Sequence, residues 1–194
     1  MNRPKDFDKV QPYEERRKLP AGGYVCEIKR AEETKSQGGR DMIKLALEIA
    51  EGEYKGYFFD EYTRMKSFKD DAKWPYEGTK WQMVYDRDGN TDRTFKGLIT
   101  SIEAENVRIS WDKNFAKSIT GAKVGVLFGE EEAEYNNLTY WRTVPKYFCT
   151  CEDVRTGNFR IPKKRPLEKT DPLAAFKAPA PADNFTAVEE DIPF

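Results

Sequence analysis

Histidine is absent from this 194-residue chain. With it go the Ser-His-Asp triad, the Cys-His pair, HExxH zinc sites and any histidine pH switch. Cysteine is scarce: Cys26, Cys149 and Cys151 are the three present, an odd number that cannot all pair within the chain. The first twenty residues, MNRPKDFDKVQPYEERRKLP, hold no apolar stretch of the kind a secretory leader needs, so a reducing cytoplasm is the expected compartment. Long apolar runs are missing too. The longest, Leu173 to Phe176, has four residues, where a membrane helix needs about 20, and a soluble protein is expected. Apolar residues make up 38% of the chain and charged residues 35%, against roughly 45–50% and 25% in typical domains, which predicts a lean core under a charged surface. Aromatics, by contrast, are plentiful. Twelve Phe, ten Tyr and four Trp supply the large buried area that disordered chains lack, and the length suits one folded domain with tails.

The net charge of −1 hides an asymmetry. From Pro166 to Phe194 there are six acids and two bases, a net of −4, so residues 1–165 carry a net of +3. A basic body with an acidic tail is a pattern seen in nucleic-acid-binding proteins.

Residues 1–18 are charged and aperiodic and read as a flexible arm; Leu19-Pro20-Ala21-Gly22-Gly23 punctuates the start of the domain. Tyr24 to Ala31 alternates as a half-buried strand does, Ser36-Gln37-Gly38-Gly39 is a turn, and residues 42–50 alternate again with Ile43, Leu45, Leu47 and Ile49 on one face. A third strand is expected at Lys55 to Tyr62. Residues 63–90 show no clean period, with a short helix expected at 79–86. Phe95, Leu98, Ile99 and Ile102 fall on one face of a helix that Thr91 or Asp92 caps. Strands return at Lys123 to Gly129, at Leu138 to Val144 and near Tyr147 to Cys151. After Arg165 a Pro- and Ala-rich linker, residues 166–188, favours extended chain. The domain, residues 19–165, is therefore expected to be mainly β: a small Greek-key barrel like the oligonucleotide-binding fold, with one or two helices inserted and a disordered C-terminal tail.

Aromatic and basic residues interleave at Lys55 to Phe59, at Tyr62 to Lys66 and at Tyr140-Trp141-Arg142 with Lys146-Tyr147. Single-strand binders use this pairing, because bases stack on rings while cations follow the phosphates. The residues expected to touch nucleic acid are Arg40 and Lys44 at the first turn, with Tyr57, Arg64, Trp74, Trp141, Arg142 and Lys146. Three other patterns carry less. Asp86-Arg87-Asp88-Gly89-Asn90 opens like a calcium loop, but Thr91 and Gly97 stand where that loop needs Gly and Glu, so a turn is expected. Cys149-Thr150-Cys151 could reach zinc only with a carboxylate as fourth ligand, which structural sites rarely use. Glu27-Ile28-Lys29 is similar to the Glu-x-Lys of magnesium-dependent nucleases, a triplet that chance also yields in a chain this charged. No metal, cofactor or catalytic residue is expected.

The last six residues, Glu189-Glu190-Asp191-Ile192-Pro193-Phe194, closely resemble the acidic tip of bacterial single-stranded-DNA-binding proteins. Phe194 would offer a ring and a free carboxylate together to a pocket with a basic rim. The body, through Leu19 to Tyr24, Lys55-Gly56-Tyr57, Thr94 to Ile99 and Gly121 to Gly125, resembles a family of tailed-phage proteins catalogued as a domain of unknown function. Together the resemblances imply a phage protein working in the bacterial cytoplasm. It would coat single-stranded DNA during replication, recombination or repair and recruit host or phage proteins through its tip. Two other classes stay open, a metal-dependent nuclease and an interaction or inhibitor protein that captures a host partner with the tip. Homo-oligomerisation also stays open.

Overall fold

The computed structural model describes residues 3–5, 7 and 17–167. The Pro/Ala linker beyond 167, the tip Glu189 to Phe194 and most of the N-terminal arm lie outside the described residues. Five strands form one antiparallel sheet: β1 (Gly22–Lys35), β2 (Asp41–Ile49), β3 (Thr79–Met83), β4 (Lys123–Tyr135) and β5 (Leu138–Cys149), in the order β3-β2-β1-β4-β5. The helices are α1 (Tyr57–Lys66), α2 (Arg93–Ala104), α3 (Phe115–Ile119) and α4 (Cys151–Thr156), with a 3-10 turn at Tyr76–Gly78. The chain is thus mixed α/β. Among the described residues, no helix is long and apolar enough to cross a membrane.

The expected barrel does not close. No ladder joins β3 to β5; across the gap between these two outer strands the Lys80 ammonium donates to the backbone carbonyl of Lys146 at 2.9 Å. Burial pushes this ammonium down to about 8. The amphipathic helix α2 lies against β5, β4 and β3, bringing Phe95, Leu98, Ile99 and Ile102 into the core. Asp92 caps it, accepting from the amides of Thr94 (2.8 Å) and Phe95 (3.1 Å). The core-facing side of the sheet presents Cys26 and Ile28 from β1, Ile43, Leu45, Leu47 and Ile49 from β2, and Val124, Val126 and Phe128 from β4, all under 2% exposed.

Two elements differ from the sequence expectation. Residues 57–66 form α1 rather than a third strand, because Gly56 turns left-handed (φ 83°) and the Glu48 carboxylate takes the amides of Phe58 and Phe59 at the helix start. Residues 79–83 form β3 rather than a helix, paired with β2 from Ala46↔Thr79 to Met42↔Met83. On the outer face, the segment after α4 crosses the sheet above two glycines. A Cβ on Gly23 would meet the Phe159 ring at 2.7 Å, and one on Gly129 would meet Pro162 at 2.8 Å. Arg165 then pairs with β4, giving its N–H to Glu130 (3.0 Å) and accepting from Glu132 (2.9 Å).

Candidate nucleic-acid interface

The register of β1, β2 and β3 sends Arg30, Lys44 and Trp81 away from the core: the bulge after Ile28 sets Arg30 opposite Ala46, and the adjoining residues Ala31, Leu45 and Gln82 lie on the core side. A groove of about 510 Å³ opens over this outer face, walled by α1 and the loop that follows it. Its cations are Lys29, Arg30, Lys44 and Lys73, against one acid, Glu32. Lys29 is paired with Glu27 (2.8 Å) and Arg30 with Glu32, whereas Lys44 and Lys73 have no carboxylate partner among the described residues.

The aromatic side of the groove carries two pairs of rings. Trp81 lies 5.3 Å from Tyr76 at 38° between planes, and both are exposed, at 40% and 47%. The Lys44 ammonium sits 6.0 Å from the Trp81 ring, and the Arg142 guanidinium covers Tyr76 at 4.1 Å. Arg142 comes from β5, so this contact bridges the open side of the sheet. Its position is fixed by Glu131, whose carboxylate also holds Lys146; these two cations keep the carboxyl below the usual range despite its partial burial. A second pair, Tyr62 and Trp74, lies 5.7 Å apart at 36° between planes. Trp74 is anchored, its indole N–H shared between the carbonyls of Leu47 (3.2 Å) and Gly78 (3.3 Å). Gly78 must lack a side chain, since a Cβ would lie 2.7 Å from the Phe58 ring.

Of the residues expected from the sequence, Lys44 and Trp74 line this groove and Arg142 reaches its rim, with Lys146 tied to Arg142 through Glu131. The others stand elsewhere. Arg40 is in the exposed β1–β2 turn, and Arg64 is in the last turn of α1. Tyr57 packs on Tyr54 and Phe58, and its hydroxyl donates to the carbonyl of Arg17. Trp141 alternates to the face opposite Arg142, with Lys164 5.4 Å from its ring. Sequence reasoning did not single out Tyr76, Trp81, Lys29, Arg30 and Lys73, which line the groove. For Trp81 the signal was the alternation of β3, concealed because its inward residues, Lys80 and Gln82, are polar; Lys29 and Arg30 belong to β1, and Tyr76 and Lys73 to the irregular stretch before β3.

The other patterns resolve locally. Asp86 accepts from the amides of Asp88 (2.9 Å) and Asn90 (2.8 Å), with Gly89 at φ 82°, an Asx-type turn. Glu27 and Lys29 bond each other. Among the described residues, no group of three or more Cys, Asp or Glu side chains is placed to hold a metal. Burial pushes the thiols of Cys149 and Cys151 up to about 11 and about 12, and that of Cys26 well above its usual range, so all three stay protonated.

Residues 5–148 match the model of a family described as "Protein of unknown function (DUF669)", and the chain belongs to that family. No curated protein matches it.

Proposed function

We propose that this protein binds single-stranded nucleic acid, DNA foremost, without sequence preference, along the groove over β1, β2 and β3. The observation that carries the reading is the run Lys44, Trp81, Tyr76, Arg142: two exposed rings for bases, with a cation beside each, in a groove that Lys73 also lines. Rings of this kind stack any base, at about 1–3 kcal/mol each, while the cations track phosphates. The strand order supports it. A five-stranded sheet in the order β3-β2-β1-β4-β5, with its main helix between β3 and β4, suits an oligonucleotide-binding fold left open between β3 and β5. That fold takes ligands across its second and third strands, near the 1–2 and 4–5 loops. In the fuller form of the reading the protein serves phage DNA replication, recombination or repair. The tip Glu189 to Phe194 then recruits host or phage proteins.

The test is a fluorescence titration with oligo-dT of graded length and with duplex of the same length. Tight single-strand binding with tryptophan quenching is expected, weakening with salt at a slope of about −0.7 per phosphate neutralised. Equal affinity for duplex, or no salt dependence, would overturn the reading.

A further inference from the structure

A second cleft, about 380 Å³, opens where β1 ends and β2 begins. Its floor is aromatic: Trp111, 66% exposed, lies 5.3 Å from the Phe115 ring and meets Phe95 edge-on at 6.4 Å. Glu33, Asp41 and Asp112 rim it, against one cation, Lys113. Asp41 shares Lys35 at 2.9 Å and Asp112 accepts from Ser110 and the Asn114 amide; Glu33 has no partner among the described residues. The register places Glu33 opposite Ile43 and Glu32 opposite Lys44, so successive residues of the hairpin face opposite sides. The hairpin therefore divides a basic groove from an acidic cleft.

An acidic rim repels phosphate. What fits is an apolar side chain flanked by cations, and the protein's own surface carries one near the start of β1. Ile161 is 58% exposed and stands between Arg160 and Lys163, both exposed and neither ion-paired among the described residues. The segment is held firmly for presentation, with Phe159 over Gly23, Pro162 over Gly129 and Arg165 bonded to β4. Gly23, under the segment, and Glu33, in the cleft, are ten residues apart on one strand, roughly 30 Å at ~3.3 Å per residue, too far for a copy to fill its own cleft. We infer that copies of this chain associate through this contact, Ile161 of one entering the Phe95–Trp111–Phe115 cleft of another while Arg160 and Lys163 meet Glu33 and Asp41. The two surfaces differ, so the contact is heterologous and propagates unless rotation closes it.

The experiment is sedimentation velocity on the full chain without nucleic acid, over a range of concentrations at low ionic strength. Three samples are compared with the natural chain: the cleft reversal Glu33→Lys/Asp41→Lys, the segment reversal Arg160→Glu/Lys163→Glu, and an equimolar mixture of the two. The natural chain is expected to associate with rising concentration and to dissociate with salt. Each reversal alone is expected to be monomeric, because like charges then face each other. The mixture is expected to associate again, because each cleft meets a segment of opposite charge, a recovery that misfolded variants could not give. A natural chain that stays monomeric, association that survives either reversal, or a mixture that stays monomeric overturns the inference.

Discussion

Trp81 and Tyr76 stand a few ångströms apart with a cation against each ring, so each should stack a base. Trp81→Ala or Tyr76→Ala is expected to weaken oligo-dT binding by about 1–3 kcal/mol each. Trp111→Ala, in the other cleft, should leave it unchanged; loss at Trp111 but not at Trp81 would move the site. Lys80 invites a different measurement. Its folded-state value is depressed to about 8 by burial, so between about 8 and 10.5 the unfolded chain binds more protons and stability contributed by this residue rises with pH. Below that window the buried charge is a standing cost, and Lys80→Met is expected to stabilise the protein at pH 7 by about 1–2 kcal/mol. The advantage should vanish as pH climbs through 8 to 10. Urea melts of the two proteins at each pH check this, and taking their difference cancels the opposing titration of the buried thiols and of Tyr24, which burial pushes up to about 12.

At the scale of elements, α1 depends on a residue outside it. Glu48, buried in β2, bonds the amides of Ile49, Phe58 and Phe59, and Gly56 supplies no side-chain cap. Glu48→Ala is expected to cost about 1–3 kcal/mol, the price of unpaired buried amides, and Glu48→Gln less. Because α1 carries Tyr62, a wall of the groove, oligonucleotide affinity should fall with it. This dependence also explains what the sequence concealed. Tyr57-Phe58-Phe59 reads as strand by composition, and nothing local announces that a carboxylate ten residues earlier caps a helix there. β1, β2, β4 and α2 were legible because each has one face on the core and one in water, which is what periodicity detects. β3 was not, since it borders the polar gap to β5: Lys80 and Gln82 point inward and Trp81 outward, an inverted alternation. The groove residues Thr79 and Trp81 were hidden with it.

For the whole molecule, charge is divided between a body of net +3 and residues 166–194 of net −4. If the body binds a strand as proposed, the attached acids compete for the same cations at an effective concentration on the order of millimolar. Deleting residues 189–194 is therefore expected to tighten oligo-dT binding, most at low salt. Phe194→Ala keeps every acid, so it should leave DNA affinity alone and abolish capture of proteins that recognise the tip. Capture that survives Phe194→Ala would reduce the tip to a charged extension.

The sheet's strand order also sets a timetable. β1 is the central strand, and its β4 side is filled only when Val124, Val126 and Phe128 arrive, about a hundred residues after Tyr24. At the ~5–20 residues per second of synthesis, the growing chain spends roughly 5–20 s with that flank of β1 unpaired, although β2 can dock on the other side almost at once. During that interval the nascent protein offers a ready template to any passing strand. Its yield in a cell should therefore depend on ribosome speed between codons 50 and 123 more than on the final stability of the fold.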